Sequence, residues 1–110
     1  MEENAISSDL IRGHIDTIIL RILADGDSYG YEIIKKIHTK SEKKYELKEP
    51  SLYTSLKRLE KQKLILSYWG NESQGGRRKY YKITSAGKQT WEKAVRAWEE
   101  AEKLIDILLH

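Results

Sequence analysis

Residues 73–84, SQGGRRKYYKIT, set two glycines and three consecutive cations ahead of a tyrosine pair. Gly75 and Gly76 carry no Cβ, so a loop tip built on them can come close to another backbone. Arg77, Arg78 and Lys79 bring charge that phosphates and the negative potential of a narrow DNA groove attract. A second cluster lies upstream in SLYTSLKRLEK, residues 51–61. Ser51, Thr54 and Ser55 are short hydroxyls that can bond phosphates or base edges without holding a helix away from them. Lys57, Arg58 and Lys61 can neutralise phosphates, and Tyr53 offers a rigid phenol. Taken alone, the three cations equally suit the solvated face of an amphipathic helix; joined to the glycine-arginine loop they read as a nucleic-acid interface. Catalytic and metal chemistry has no comparable support. His14, His38 and His110 are scattered, without acidic or cysteine partners at ligand spacing. No nucleophile elbow or pair of facing carboxylates is visible, and Glu46 and Glu49 read as loop or cap residues. The expectation is a binding protein with no metal and no cofactor, not an enzyme.

Charge supports that reading once it is divided along the chain. The 110 residues carry a net charge of +3, but the span from Lys35 to Lys82 holds fourteen Lys and Arg against five Asp and Glu. The remainder holds six against twelve, so a basic middle lies between two acidic ends. Such a length is one ordinary domain. Cysteine is absent, which removes disulfides and thiolate chemistry and fits a reducing compartment. The start, MEENAISSDLIRGH, is acidic and polar, unlike a signal peptide, and no apolar run is long enough to span a bilayer. A cytoplasmic protein without membrane association is expected.

The elements that must hold these residues follow from periodicity. Between Ser8 and Ala24, Ile11, Ile15, Ile18 and Ile22 recur at helical steps with Ile19 and Leu23 beside them, and DGDS at 25–28 reads as a turn. A second helix, about 29–40, turns Ile33, Ile34 and Ile37 inward and Lys35, Lys36 and Lys40 outward. After a polar loop, Pro50 marks the start of a third helix whose buried stripe is Leu52, Leu56 and Leu59. The pattern then becomes alternating in two runs flanking the glycine tract, an antiparallel hairpin. Tyr80 and Tyr81 must face opposite sides of it. Thr84 caps a final helix reaching about residue 108, in which Trp91, Trp98 and Ile105 are seven apart, as are Ala94, Ala101 and Leu108. These six residues form a seam too long for so small a domain to cover, and the sequence predicts a partner helix from a second copy; the alternative is a helix folded back across its own domain, which a sustained seven-residue repeat disfavours. The fold class is mainly α with a small β-hairpin. Residues 8–84 read as a winged helix-turn-helix DNA-binding domain and 85–109 as a dimerisation helix.

The same residues carry a resemblance. YGYEIIKKI at 29–37, SLYTSLKRLEK at 51–61, SYWGNESQGGRRKYYKIT at 67–84 and AWEEAEKLI at 97–105 closely resemble the PadR-like transcriptional regulators, in particular the short, multidrug-sensing LmrR-like branch. The likeness covers about residues 8–109. It implies a homodimeric repressor on a pseudo-palindromic DNA operator, its last helix packed on the first helix of the other subunit. It also implies that Trp98 stacks on flat, aromatic or cationic small-molecule effectors at the dimer interface, with Glu102 neutralising a cation and Leu10, Asp16 and Thr17 lining the pore. Periodicity alone makes Trp98 simply an oligomerisation anchor, and Trp91 a candidate to fill the same space. Pro50, at the start of the third helix, and Gly13 and Thr17, in the first, depart from the family's usual residues. Two rival functions stand beside the repressor: a winged-helix module for protein interaction, and a DNA-binding dimer with no effector.

Overall fold

The computed structural model describes residues 8–71 and 76–110, so Gly75 lies outside the described residues. The order is α1 (Ser8–Arg12), α2 (Ile15–Ala24), β1 (Ser28–Tyr29), α3 (Gly30–Lys40), α4 (Glu49–Lys61), β2 (Ile65–Trp69), β3 (Lys79–Ile83) and α5 (Ser85–Leu109). The core is formed by Ile19, Leu20 and Leu23 of α2, Ile33 and Ile37 of α3, Leu52, Leu56 and Leu59 of α4, and Ile65, Tyr81 and Ile83 of the sheet. The three leucines of α4 and the inward isoleucines of α3 therefore lie where their 3.6-residue spacing places them. This is the winged helix-turn-helix expected from the sequence, with a long terminal helix.

Two expectations are corrected. The single helix expected from Ser8 to Ala24 is broken at Gly13 and His14, leaving α1 as a short separate turn. Glycine is the costliest ordinary residue in a helix interior, and the His14 ring turns onto the edge of the Trp98 indole, 4.7 Å between centroids. The DGDS stretch is not only a turn. Its last residue opens β1, which pairs with β3 through Ser28 opposite Tyr81 and Tyr29 opposite Tyr80, giving a three-stranded sheet of order β1-β3-β2. A strand of two residues has no periodicity to detect. Ser28 is fully buried there, its hydroxyl accepting from Lys36 Nζ at 2.8 Å.

One junction fixes the hairpin against both flanking helices. At the end of α4, Leu64 N–H donates to the Leu59 carbonyl and Lys63 N–H to the Glu60 carbonyl, each at 3.0 Å, while Lys63 adopts φ 63°. This is a Schellman stop with lysine in the left-handed position usually given to glycine. The Thr84 hydroxyl donates to the Lys63 carbonyl at 2.9 Å and accepts from Gly87 N–H at 3.0 Å, capping α5 on that turn. Gly87 is buried in the same place. A Cβ there would strike the Leu64 carbonyl oxygen and come within 2.7 Å of Ile83 Cγ1. Gly87→Ala should therefore lower stability by about 2–3 kcal/mol, as overpacking against fixed backbone does. Thermal unfolding reads this directly, and an unchanged Tm would mean that the junction yields.

From Ser85 the 25-residue α5 runs antiparallel to α2, with the Arg21 guanidinium 5.5 Å from the Trp91 ring centre and His14 against Trp98. Trp91 is partly buried on the core of its own subunit, so the first heptad of the expected seam is already used within the chain. Beyond it, Trp98, Leu104, Ile105, Ile107, Leu108 and Leu109 are exposed, Leu108 to 74%. Ala94 and Ala101 are half-buried between them.

Candidate nucleic-acid interface

The solvent side of α4 is narrower than the sequence suggests. Pro50, Tyr53, Thr54, Lys57 and Lys61 are exposed and recur at three- and four-residue steps, so they form one stripe along the helix. Ser51 is exposed on its flank. Ser55 is only 3% exposed, and Arg58 is turned sideways onto α2. The Arg58 fork donates from Nε and Nη2 to the two carboxylate oxygens of Asp16, each at 2.8 Å, and Nη2 also reaches Ser55 Oγ at 3.2 Å. Arg58 and Asp16 were expected in different sites, one facing DNA and the other a ligand pore; here each occupies the other. Spacing could not reveal this, because the pair is separated by 42 residues.

Burial works against the ionised form of Asp16, but the hydrogen bonds from Arg58 and Ser55 and the Arg58 charge outweigh it, and the carboxyl lies below its ordinary value of 3.8. A depressed acid stabilises the fold fully above its unfolded value and loses that contribution as pH falls through the folded value. The stability gap between the native chain and Asp16→Asn should thus be constant from neutral pH to about pH 4 and shrink below it. Urea melts at pH 7 and pH 3 test this; a gap of equal size at both would mean that the pair contributes no charge interaction.

Tyr53 is held in place from below. A Cβ on Gly30, the first residue of α3, would occupy the position of the Tyr53 hydroxyl and lie 2.9 Å from its ring. Glycine at 30 therefore seats the phenol across the start of α3, with the ring still 48% exposed. The wing begins next to it. Tyr29, the residue before Gly30, lies under the Arg78 guanidinium, 4.6 Å from ring centre to Cζ. The exposed stripe of α4, the start of α3 and the base of the wing are thus neighbours on one surface.

Along the wing the register pairs Trp69 with Lys79, Tyr68 with Tyr80 and Ser67 with Tyr81. Tyr81 is buried on the core and Tyr80 is half-buried on the opposite face, the division expected from strand alternation. Burial raises the Tyr81 hydroxyl above its ordinary range. Ser67 Oγ donates to Glu60 on α4, tying the wing to that helix. Arg77, Arg78 and Lys79 are all exposed. Gly76, at φ 89°, turns the backbone into a region that suits only glycine. Beneath two of these cations lie aromatic rings that their spacing does not single out, Trp69 under Arg77 and Tyr29 under Arg78, in the stretches 67–84 and 29–37.

The residues expected to take a ligand are only partly brought together. Trp98 and Glu102 share an open depression along α5 with Ile105 and Leu109. Leu10 is exposed on α1 and Thr17 half-buried on α2, while Asp16 is held by Arg58. His14, which no spacing argument singled out, is the residue in contact with Trp98. Among the described residues no group of three or more His, Asp or Glu side chains could hold a metal, and no helix is long and apolar enough to cross a membrane.

A wing and an exposed helix stripe on one surface define a winged-helix regulator. Residues 19–93 match the model of the transcriptional regulator PadR-like family. A transcriptional regulator from Clostridium thermocellum is 48% identical with a TM-score of 0.86, covering 93% of this chain and 96% of that one. A PadR family transcription regulator from Clostridium difficile is 42% identical with a TM-score of 0.77, covering 88% and 99%. Bacillus subtilis PadR, solved in complex with operator DNA, shares the fold at 23% identity and a TM-score of 0.66, covering 74% of this chain and 46% of that one. The chain belongs to the PadR-like family of transcriptional regulators, which are not catalysts.

Proposed function

We propose that the protein is a homodimeric repressor that binds a pseudo-palindromic operator through α4 and the wing. The observation that carries this is the exposed α4 stripe of Lys61, Lys57, Thr54 and Tyr53, with the Tyr53 phenol seated against buried Gly30 and exposed Arg78 resting on the adjacent Tyr29. In this reading the α4 stripe enters a major groove, and Arg77, Arg78 and Lys79 hold the adjoining backbone. Ser51 meets a phosphate at the helix flank. Arg58 braces α4 against α2, so it sets the angle of the recognition helix without contacting a base.

The dimer follows from the far half of α5, whose apolar residues have no cover within the subunit. Two-fold pairing of that half would bury Trp98, Ala101, Ile105 and Leu108 and place two α4 helices about one DNA turn apart, ~34 Å. Binding of duplex DNA measured against salt tests the reading. Affinity should fall steeply and log-linearly with salt, and absence of duplex binding at low salt would leave the protein-interaction module as the function.

The finer reading is a member of the multidrug-sensing branch, with Trp98 from each subunit stacking on a flat aromatic or cationic effector and Glu102 supplying countercharge. Its support is the exposure of Trp98, 45%, beside Glu102 on one face. Such an effector would act by favouring one of two dimer geometries. Titration with a planar cationic dye should quench Trp fluorescence in the native protein and not in Trp98→Ala; a quench that survives the substitution would leave a DNA-binding dimer without an effector.

A further inference from the structure

The two arginines of the wing are not equivalent, and neither is held by its backbone alone. Trp69 lies on the strand face that carries Ser67 and Tyr81, and Arg77 Cζ is 5.4 Å from its ring centre. Arg78 rests on Tyr29, on the face that carries Tyr68 and Tyr80. Tyr29 in turn meets the edge of Tyr80, at 5.5 Å and 78°, and Tyr80 stacks on Tyr68 at 5.7 Å and 13°. Tyr68 donates its hydroxyl to Asp27 Oδ2, which anchors the stack to the turn before β1. Gly70 N–H donates to the Arg78 carbonyl at 2.6 Å, extending the ladder one step past the Trp69–Lys79 pair.

Stacking uses the flat face of a guanidinium and leaves its in-plane N–H donors directed at oxygen acceptors. An arginine already resting on a ring has lost part of the rotamer freedom that gripping a phosphate would otherwise remove. From this arrangement, and resting on the duplex-binding reading above, we propose that Trp69 and Tyr29 are positioning residues of the wing. Each presets one arginine, on opposite faces of the hairpin, for a DNA phosphate.

Trp69 gives the cleaner test, because its ring is 55% exposed and contributes little to the core. The probe is a fluorescein-labelled duplex of mixed sequence, followed by anisotropy across a salt series, with thermal unfolding of each variant alongside. Trp69→Ala weakens binding roughly fivefold with an unchanged salt slope, because a cation–π contact is lost while the phosphate contacts remain in number. Arg77→Ala lowers the slope by about 0.9 per subunit. The double substitution binds like Arg77→Ala alone, since the ring acts only through that arginine. Trp69→Phe recovers most of the loss, whereas Trp69→Leu, apolar but without a ring, does not. Losses that multiply in the double variant, or a Trp69→Leu that binds as well as Trp69→Phe, would overturn the proposal. Failure of the native protein to bind the duplex at low salt would instead remove the reading beneath it, so the two failures are distinguishable.

Discussion

Replacing Ile105 and Leu108 together with aspartate should turn the protein into a folded monomer that has lost at least 100-fold in operator affinity. Both side chains lie on the half of α5 that its own subunit leaves uncovered, so the winged domain does not depend on them. In a two-fold seam each substitution counts twice. Every apolar side chain withdrawn from water there contributes roughly 1.5–3 kcal/mol, and a carboxylate forced into the seam adds a desolvation cost of its own. The monomer would retain one α4 and one wing, losing the gain of about 10²–10⁴ that comes from engaging two half-sites at once. Sedimentation equilibrium and anisotropy on the same samples measure both effects. A variant that stays dimeric would show that α5 is not the seam.

The second large effect concerns the wing. Arg77→Ala combined with Arg78→Ala should lower affinity at 0.1 M salt about 100-fold and reduce the log–log salt slope by about 3.6 for a dimer, since four counterion-releasing contacts disappear. Stability should change little, because both side chains are exposed and the rings they rest on, Trp69 and Tyr29, are exposed and half-buried. An affinity loss without a change in slope would mean that these arginines shape the wing and leave the phosphates to other residues. Equal loss across all duplex sequences is also expected, as phosphate contacts position a protein without selecting bases.

What the sequence disclosed and what it withheld divide along the range of the interactions involved. Elements with a sustained period were legible: the Leu52, Leu56 and Leu59 stripe, the alternation that separates Tyr80 from Tyr81, and the Thr84 cap on α5. Features set by contacts between distant segments were not. The two-residue β1 exists only because β3 offers it an edge. Arg58 is drawn onto α2 because Asp16, far away in the chain, accepts both arms of its fork. Trp91 and Trp98 are identical by heptad position, yet the first rests on the core while the second stays exposed with its ring against His14. The break at Gly13 leaves no mark in the isoleucine periodicity, and the contact made beside it, His14 on Trp98, lies in another helix.

Recovery of bound duplexes from a random-sequence pool tests the central claim most directly. If two copies present α4 and the wing to one face of DNA, the recovered sequences converge on an inverted repeat with half-site centres about 10 base pairs apart, or a multiple of one helical turn. A single ungapped site, a direct repeat, or no enrichment above the starting pool would contradict it.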